Sequence, residues 1–298
     1  MKKPSSLCWQ LGIGDPRFIE IESKWRVTPE GAKRLRAHLH ERKGIEHEKR
    51  ATFFDQYLDT PELDLLRLGA SLRLRYRKNG SNVYLQYKGP GFRKGGLLYR
   101  SEFASERLDK LVREESHHDV VRFTETSVRE ILHAHADPAM AEAMRRHLGN
   151  RMIDAIDTGH LICQYQKDKF SVELDGGFLE PSVDRVSVFH ISRRGPHTMS
   201  TFWEYENEAK TEDGSLEGKL AMLPALGKFD AALARLLGQP LEAGERRLRE
   251  RAIVERSIAV VVRCHPPAFL SSDRSVGAMS TLSPSLGIGK RTVQTIAC

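Results

Sequence analysis

The stretch "IEIESKWRV" (Ile19–Val27) alternates charged and apolar residues without a break. A period of two predicts a strand, on which successive side chains point to opposite faces. Glu20, Glu22 and Lys24 then share one face, and Ile19, Ile21, Trp25 and Val27 line the other. Two like charges on one strand face repel unless something lies between them. A metal ion, a cationic partner strand and water are the three candidates.

The same pattern recurs along the chain. "LRLRYR" places Arg73, Arg75 and Arg77 on one face. "VYLQYKG" contributes Tyr84, Gln86 and Lys88, and "LLYRSEF" contributes Arg100 and Glu102. "SVELDGG" carries Glu173 and Asp175, and "WEYENEAK" carries Glu204, Glu206, Glu208 and Lys210. A single strand of this kind is an ordinary solvated face. A series of them, basic on some strands and acidic on others, fits an antiparallel sheet closed on itself with the charges lining the interior. Arg and Lys in such a lumen suit phosphate oxygens, and carboxylates suit Mg²⁺. On this reading a metal ion separates Glu20 from Glu22.

Between the strands, Thr28 is a candidate N-cap with Pro29 at the first helical position and Gly44 as a stop. This predicts a Lys- and Arg-rich surface helix over "TPEGAKRLRAHLHERKG". "ATFFDQYLDT" reads as a strand and "PELDLLRLG" as one or two helical turns. Asn79-Gly80 between two alternating runs predicts a hairpin. Residues 105–150 lose the alternation and read as a helical insertion. Strands return in "MIDAIDTGHLICQYQKDKFSVELDGG", with a hairpin turn expected near Gln166–Asp168. "SLEGKLAMLPALG" and "FDAALARLLG" read as helices.

The resulting organisation is an irregular lead-in over 1–17, a domain over 18–240 and a basic, then Ser/Gly/Pro-rich tail over 241–298 that is expected to be mobile. Hydrophobic residues make up 40% of the 298-residue chain, enough for a core. The net charge of +7 favours anionic partners. Cys8, Cys163, Cys264 and Cys298 show no paired spacing and read as free thiols of a reducing compartment. Without an apolar run long enough for a signal peptide or membrane helix, a cytoplasmic location is expected. "SLGIGKRT" is no phosphate loop: Pro284 and Arg291 stand where Gly and Ser or Thr are needed. His38/His40 and His133/His135 are two apart in helical or loop contexts, so a shared metal is not expected. Trp25, Trp203 and Tyr205 read as packing.

Taken in order, "IEIESK", "FDQYLDTPELDLLRLGASLRLR", "LQYKGPG", "YRSEF", "VELDGG" and "EYENEAK" resemble the motifs of the CYTH superfamily, the triphosphate tunnel metalloenzymes. The resemblance spans about residues 18–230. It implies an α+β fold, an eight-stranded antiparallel β-barrel enclosing a tunnel with helices packed outside. It also implies one or two Mg²⁺ or Mn²⁺ and a triphosphate-bearing small molecule as partner, with no membrane or nucleic acid partner expected. Glu20, Glu22, Asp175, Glu204, Glu206 and Glu208 are the implied metal ligands. Lys24, Arg73, Arg75, Lys88 and Arg100 are the implied phosphate contacts, and Lys228 in "GKFDAAL" the implied plug of one tunnel end. Glu20, Glu22, Lys24 and Glu206 form the implied catalytic set.

One departure stands out. The family's Arg on the strand before "ELD" is missing from "DTGHLICQYQ", leaving Lys167, Lys169 or His160 as substitutes. The expected activity is metal-dependent hydrolysis of inorganic triphosphate or a small organic triphosphate. A class IV-type adenylate cyclase and a non-catalytic polyphosphate or nucleotide-binding module are the alternatives.

Overall fold

The structure is a computed structural model that describes residues 6–238 apart from 109–110, 115–118, 125–126 and 193–194. The expected tail over 241–298 lies outside the described residues.

In chain order, the short helix α1 (Ser6–Gln10) precedes β1 (Ile19–Val27), α2 (Pro29–Glu41), β2 (Glu46–Asp59), α3 (Asp64–Leu68), β3 (Ser71–Arg77) and β4 (Ser81–Lys88). There follow β5 (Phe92–Lys94), β6 (Leu97–Leu108), β7 (Val112–Glu114), β8 (Arg122–Thr124), α4 (Val128–Ala134) and α5 (Pro138–Ala155). The long strands β9 (Asp157–Leu174), β10 (Gly177–Ser192) and β11 (Gly195–Lys210) lead to α6 (Leu216–Ala221) and α7 (Leu223–Leu237). The lead-in is therefore partly helical, and the helical insertion includes the small hairpin β7–β8.

Strands run in the order β1-β11-β10-β9-β2-β3-β4-β6, and β1 also pairs with β6. That second pairing closes an eight-strand antiparallel ring, and β5 attaches to β6 at its margin. Local sequence sets its corners. Thr28 caps α2 by accepting from the Gly31 amide at 3.0 Å. Asp59 accepts from the amides of Thr60, Leu65 and Leu66, which fastens α3 to the end of β2. Gly80, at φ +67°, turns β3 into β4.

The ring is apolar outside and charged inside. Phe54, Leu72, Leu74, Tyr76, Leu85 and Tyr87 are fully buried on outer faces, in a core that includes residues of α4 and α5. Trp25, Val183 and Tyr205 pack with Leu35 and Leu39 of α2 and Leu226 and Leu233 of α7. Trp25 and Tyr205 pack ring against ring at 4.8 Å, so they are packing residues as the alternation suggests. Burial of this outer belt by the helices is the main source of stability, at about 25 cal/mol per Å².

The expected turn near Gln166–Asp168 is instead mid-strand. β9 continues to Leu174 and turns at Asp175 and Gly176. The polar run Gln166-Lys167-Asp168-Lys169 resembles a turn but keeps the strand period. Lys167 and Lys169 are paired with carboxylates of β10 and β11, while Asp168 is held by Arg36 of α2 and Arg50 of β2.

Candidate active site inside the ring

The register brings the predicted charges together. Glu20 pairs opposite Arg100, Lys24 opposite Glu206, Lys88 opposite Glu102, and Arg75 opposite Asp55. Because side chains of directly paired residues share a face, these groups line one continuous interior.

Arg100 bridges the two glutamates of β1. Its Nε donates to Glu20 Oε2 at 2.7 Å and its Nη2 to Glu22 Oε1 at 2.6 Å. The separating charge in the structure is thus the guanidinium of a partner strand, where the sequence reading placed a metal. Lys88 adds contacts to Glu20 at 2.7 and 2.9 Å. Burial alone would raise the Glu20 carboxyl, but Arg100 and Lys88 outweigh it and hold it far below the carboxylate range. Glu22, also fully buried, is pushed up to about 7 by burial and by Glu20 and Glu206, against the pull of Arg100.

On the acidic side, Lys24 lies 2.8 Å from Glu204 and 3.1 Å from Glu206. Lys167 lies 3.2 Å from Asp184 and 3.3 Å from Glu206. Burial would raise Glu206, yet Lys167 and Lys24 hold it well below its ordinary value. Asp184 is pushed up to about 7 by burial, with Glu206 and Glu204 adding to it against Lys167. Glu208, paired with Lys210 at 3.2 Å, rises to about 8 for similar reasons, burial first. Lys169 pairs with Glu180 at 2.5 Å. Lys167 and Lys169 therefore supply cations to the ring from the strand that lacks the family's Arg. The side chain of His160 lies outside the described residues.

Opposite stand Arg73 and Arg75, both on Asp55. Arg75 makes a two-point contact at 2.7 and 2.8 Å, and Arg73 Nη1 lies 3.0 Å away.

Two triads bring carboxylate oxygens within 4.8 Å of one another: Glu20, Glu22 and Glu206, and Asp184, Glu204 and Glu206. The donor set is all oxygen, which suits a hard cation such as Mg²⁺ or Mn²⁺. Glu22 Oε2 and Asp184 Oδ1 are buried and hydrogen-bond to nothing. A buried carboxylate oxygen with no donor is costly, and a cation at either triad would satisfy it. The residues present fit the group.

Two predicted residues are not brought here. Asp175 is exposed in the β9–β10 turn, because Asp-Gly-Gly supplies turn chemistry. Asp184, nine residues on, takes the acidic place. Lys228 is exposed on α7, whose buried face carries Leu226, Phe229, Asp230 and Leu233 against the outside of the sheet. Sequence reading missed Asp55 and Asp184. Each continues a period-two row, Asp55 after Phe53 and Asp184 after Glu180 and Ser182.

The closed ring and its lining of acids and bases agree with the fold of the CYTH, or triphosphate tunnel metalloenzyme, superfamily. The CYTH domain profile matches residues 19–215, and the chain belongs to that family. Its members bind triphosphate substrates and use divalent metals. No curated protein matches. Among solved structures, the chain is similar to an assigned adenylate cyclase from Bacillus halodurans, with 18% identity, coverage of 71% of this chain and 89% of that one, and a TM-score of 0.40. It is similar to a Hippeastrum protein, assigned as an adenylyl cyclase and described as having a dominant triphosphatase activity, at 15%, 77%, 94% and 0.44 respectively. It is similar to the Mimivirus capping enzyme triphosphatase at 9%, 77%, 94% and 0.40. Among the described residues, no helix is long and apolar enough to cross a membrane.

Proposed function

We propose that the chain is a metal-dependent triphosphatase that hydrolyses inorganic triphosphate or a small organic triphosphate inside the ring. The observation that carries this is the division of the interior. Arg73, Arg75, Lys88 and Arg100 are gathered on one side, and the Asp184–Glu204–Glu206 triad with an orphaned carboxylate oxygen on another. A chain of phosphates needs cations along its length, and the cation that accompanies it needs carboxylates.

Arg73, Arg75, Lys88, Arg100 and Lys24 hold phosphate oxygens. Each is already ion-paired, so little side-chain order remains to be imposed when the ligand enters. Glu20, Glu22, Glu204, Glu206, Glu208 and Asp184 form the acidic set. Of these, Glu22, Asp184, Glu204 and Glu206 would hold Mg²⁺ or Mn²⁺. A divalent cation there supplies charge to the phosphate oxygens and acidifies a bound water. Several of these groups, among them Glu20, Glu22, Arg73 and Lys88, are buried, which strengthens their contacts. The protein contributes position and electrostatics, with no covalent intermediate. Lys228 and Asp175, both exposed, have no part in this scheme.

The test is incubation of the full chain with tripolyphosphate, ATP and thiamine triphosphate, each with Mg²⁺. Release of phosphate is expected. Cyclic AMP from ATP would replace the proposal with a cyclase, and tight binding without turnover would replace it with a binding module.

A further inference from the structure

We propose that Asp55 is a positioning residue that aims Arg73 and Arg75 at the phosphate chain, an inference that rests on the triphosphatase reading above. Asp55 sits on β2 directly opposite Arg75 on β3 and is completely buried. Its Oδ1 accepts from Arg75 Nε at 2.7 Å and its Oδ2 from Arg75 Nη2 at 2.8 Å. Arg73 Nη1 reaches the same Oδ2 at 3.0 Å. One carboxylate therefore holds two guanidinium groups.

Each guanidinium has a second restraint. The guanidinium carbon of Arg75 lies 4.0 Å from the centre of the Phe53 ring, and Gln86 Oε1 accepts from Arg73 Nε at 3.2 Å. The fork on Asp55 uses Nε and Nη2 of Arg75 and leaves both Nη1 hydrogens outside it. The Arg75 side chain is 27% exposed while that of Asp55 is wholly covered. The carboxylate is thus sealed behind a guanidinium that faces open space.

Charge and geometry make opposite demands at this position. An anion set among cations lowers the local positive potential, so by charge alone Asp55 weakens binding of a polyanion. By geometry it strengthens binding, because a bidentate carboxylate fixes a planar donor set in one orientation. Removing the charge separates the two effects by sign.

The experiment measures tripolyphosphate and orthophosphate binding to the full chain by calorimetry, without metal and with Mg²⁺. Wild type is compared with Asp55→Asn, Arg75→Lys and the double variant, each checked for folding by thermal melting. Asp55→Asn is expected to weaken tripolyphosphate binding by about tenfold or more, despite the gain of one positive charge. Its effect should shrink in the Arg75→Lys background, since Asp55 acts through that arginine. If Asp55→Asn does not fold, Asp55→Glu keeps the charge and moves the carboxylate by one methylene, and the same loss is expected. Unchanged or tighter binding by a folded Asp55 variant would overturn the inference alone. Failure of wild type to bind tripolyphosphate would overturn the functional reading and this inference together.

Discussion

The guanidinium of Arg100 lies 2.6 Å from Glu22 Oε1, while Glu22 Oε2 hydrogen-bonds to nothing. On the proposed reading, the oxygen held by Arg100 belongs to the phosphate-binding side, and the unpartnered one is the oxygen that would meet a cation. Glu22→Gln should therefore retain the fold and lose metal. An amide supplies no negative charge to a hard cation. Mn²⁺ binding followed by paramagnetic resonance should weaken by at least about tenfold, equivalent to about 1.4 kcal/mol. Phosphate release should fall with it. Wild-type Mn²⁺ affinity in this variant would remove Glu22 from the ligand set.

Stability of the metal-free protein should depend on pH in a defined direction. Glu22 and Asp184 are raised to about 7 and Glu208 to about 8, from ordinary values of 4.5, 3.8 and 4.5. A carboxyl whose folded value is raised favours folding below its unfolded value, and that contribution is lost as pH rises through the folded value. Melting temperature without metal should thus fall between about pH 5 and pH 8. Glu20 and Glu206 are shifted downward and act oppositely, losing their contribution below their ordinary 4.5. Mg²⁺ should raise the melting temperature more at pH 8 than at pH 5.5, because it displaces protons from the raised groups. A metal-free melting temperature that climbs steadily to pH 8.5 would contradict this.

Arg75→Ala should weaken tripolyphosphate binding far more than orthophosphate binding. On the triphosphatase reading the interior cations act on charge spread along a chain of phosphates, and loss of one charged contact costs about 1.5–3 kcal/mol. Competition titrations with the two anions give the ratio directly. Equal losses for both would make Arg75 a structural residue.

Lys167→Met should destabilise the metal-free protein by about 3 kcal/mol. Lys167 is the partner of both Asp184 and Glu206, and removing one member of a buried ion pair leaves charge uncompensated. Mg²⁺ should recover part of the loss, since a divalent cation can replace the ammonium. Denaturant melts with and without Mg²⁺ measure both quantities, and an identical deficit in the two conditions would place Lys167 away from the metal.

Much of this architecture is legible in the sequence because its signal is simple. A period of two puts Glu20, Glu22 and Lys24, Arg73 and Arg75, and Glu204, Glu206 and Glu208 each on one face, and antiparallel pairing then brings those faces together. Thr28, Pro29 and Asn79-Gly80 mark element ends by local chemistry that needs no tertiary context. The misplaced turn at Gln166–Asp168 has the opposite origin. Its polarity is that of a loop, and only tertiary partners, Arg36 and Arg50 for Asp168 and the interior acids for Lys167, make it a strand. Asp175 looks like a ligand beside its Glu, but its Gly-Gly neighbours belong to a turn. The period-two row Phe53-Asp55-Tyr57 puts Asp55 on a strand face, but nothing local to it shows that two arginines from the next strand converge on it.

Closure of the ring through β1, which pairs with both β6 and β11, has a consequence for the nascent chain. The first of these strands cannot meet the last until nearly the whole domain has been synthesised, so final closure is late and slow. Until then the sheet has two raw edges, which would ordinarily recruit other chains. The lumen side it exposes meanwhile is charged, while its apolar side is covered only in part by α2, α4 and α5 and waits for α6 and α7, which follow β11 in the chain. Self-repulsion and hydration of that open trough protect the half-made sheet from aggregation, so the same charges that suit a polyanion in the finished protein guard the chain before it is complete.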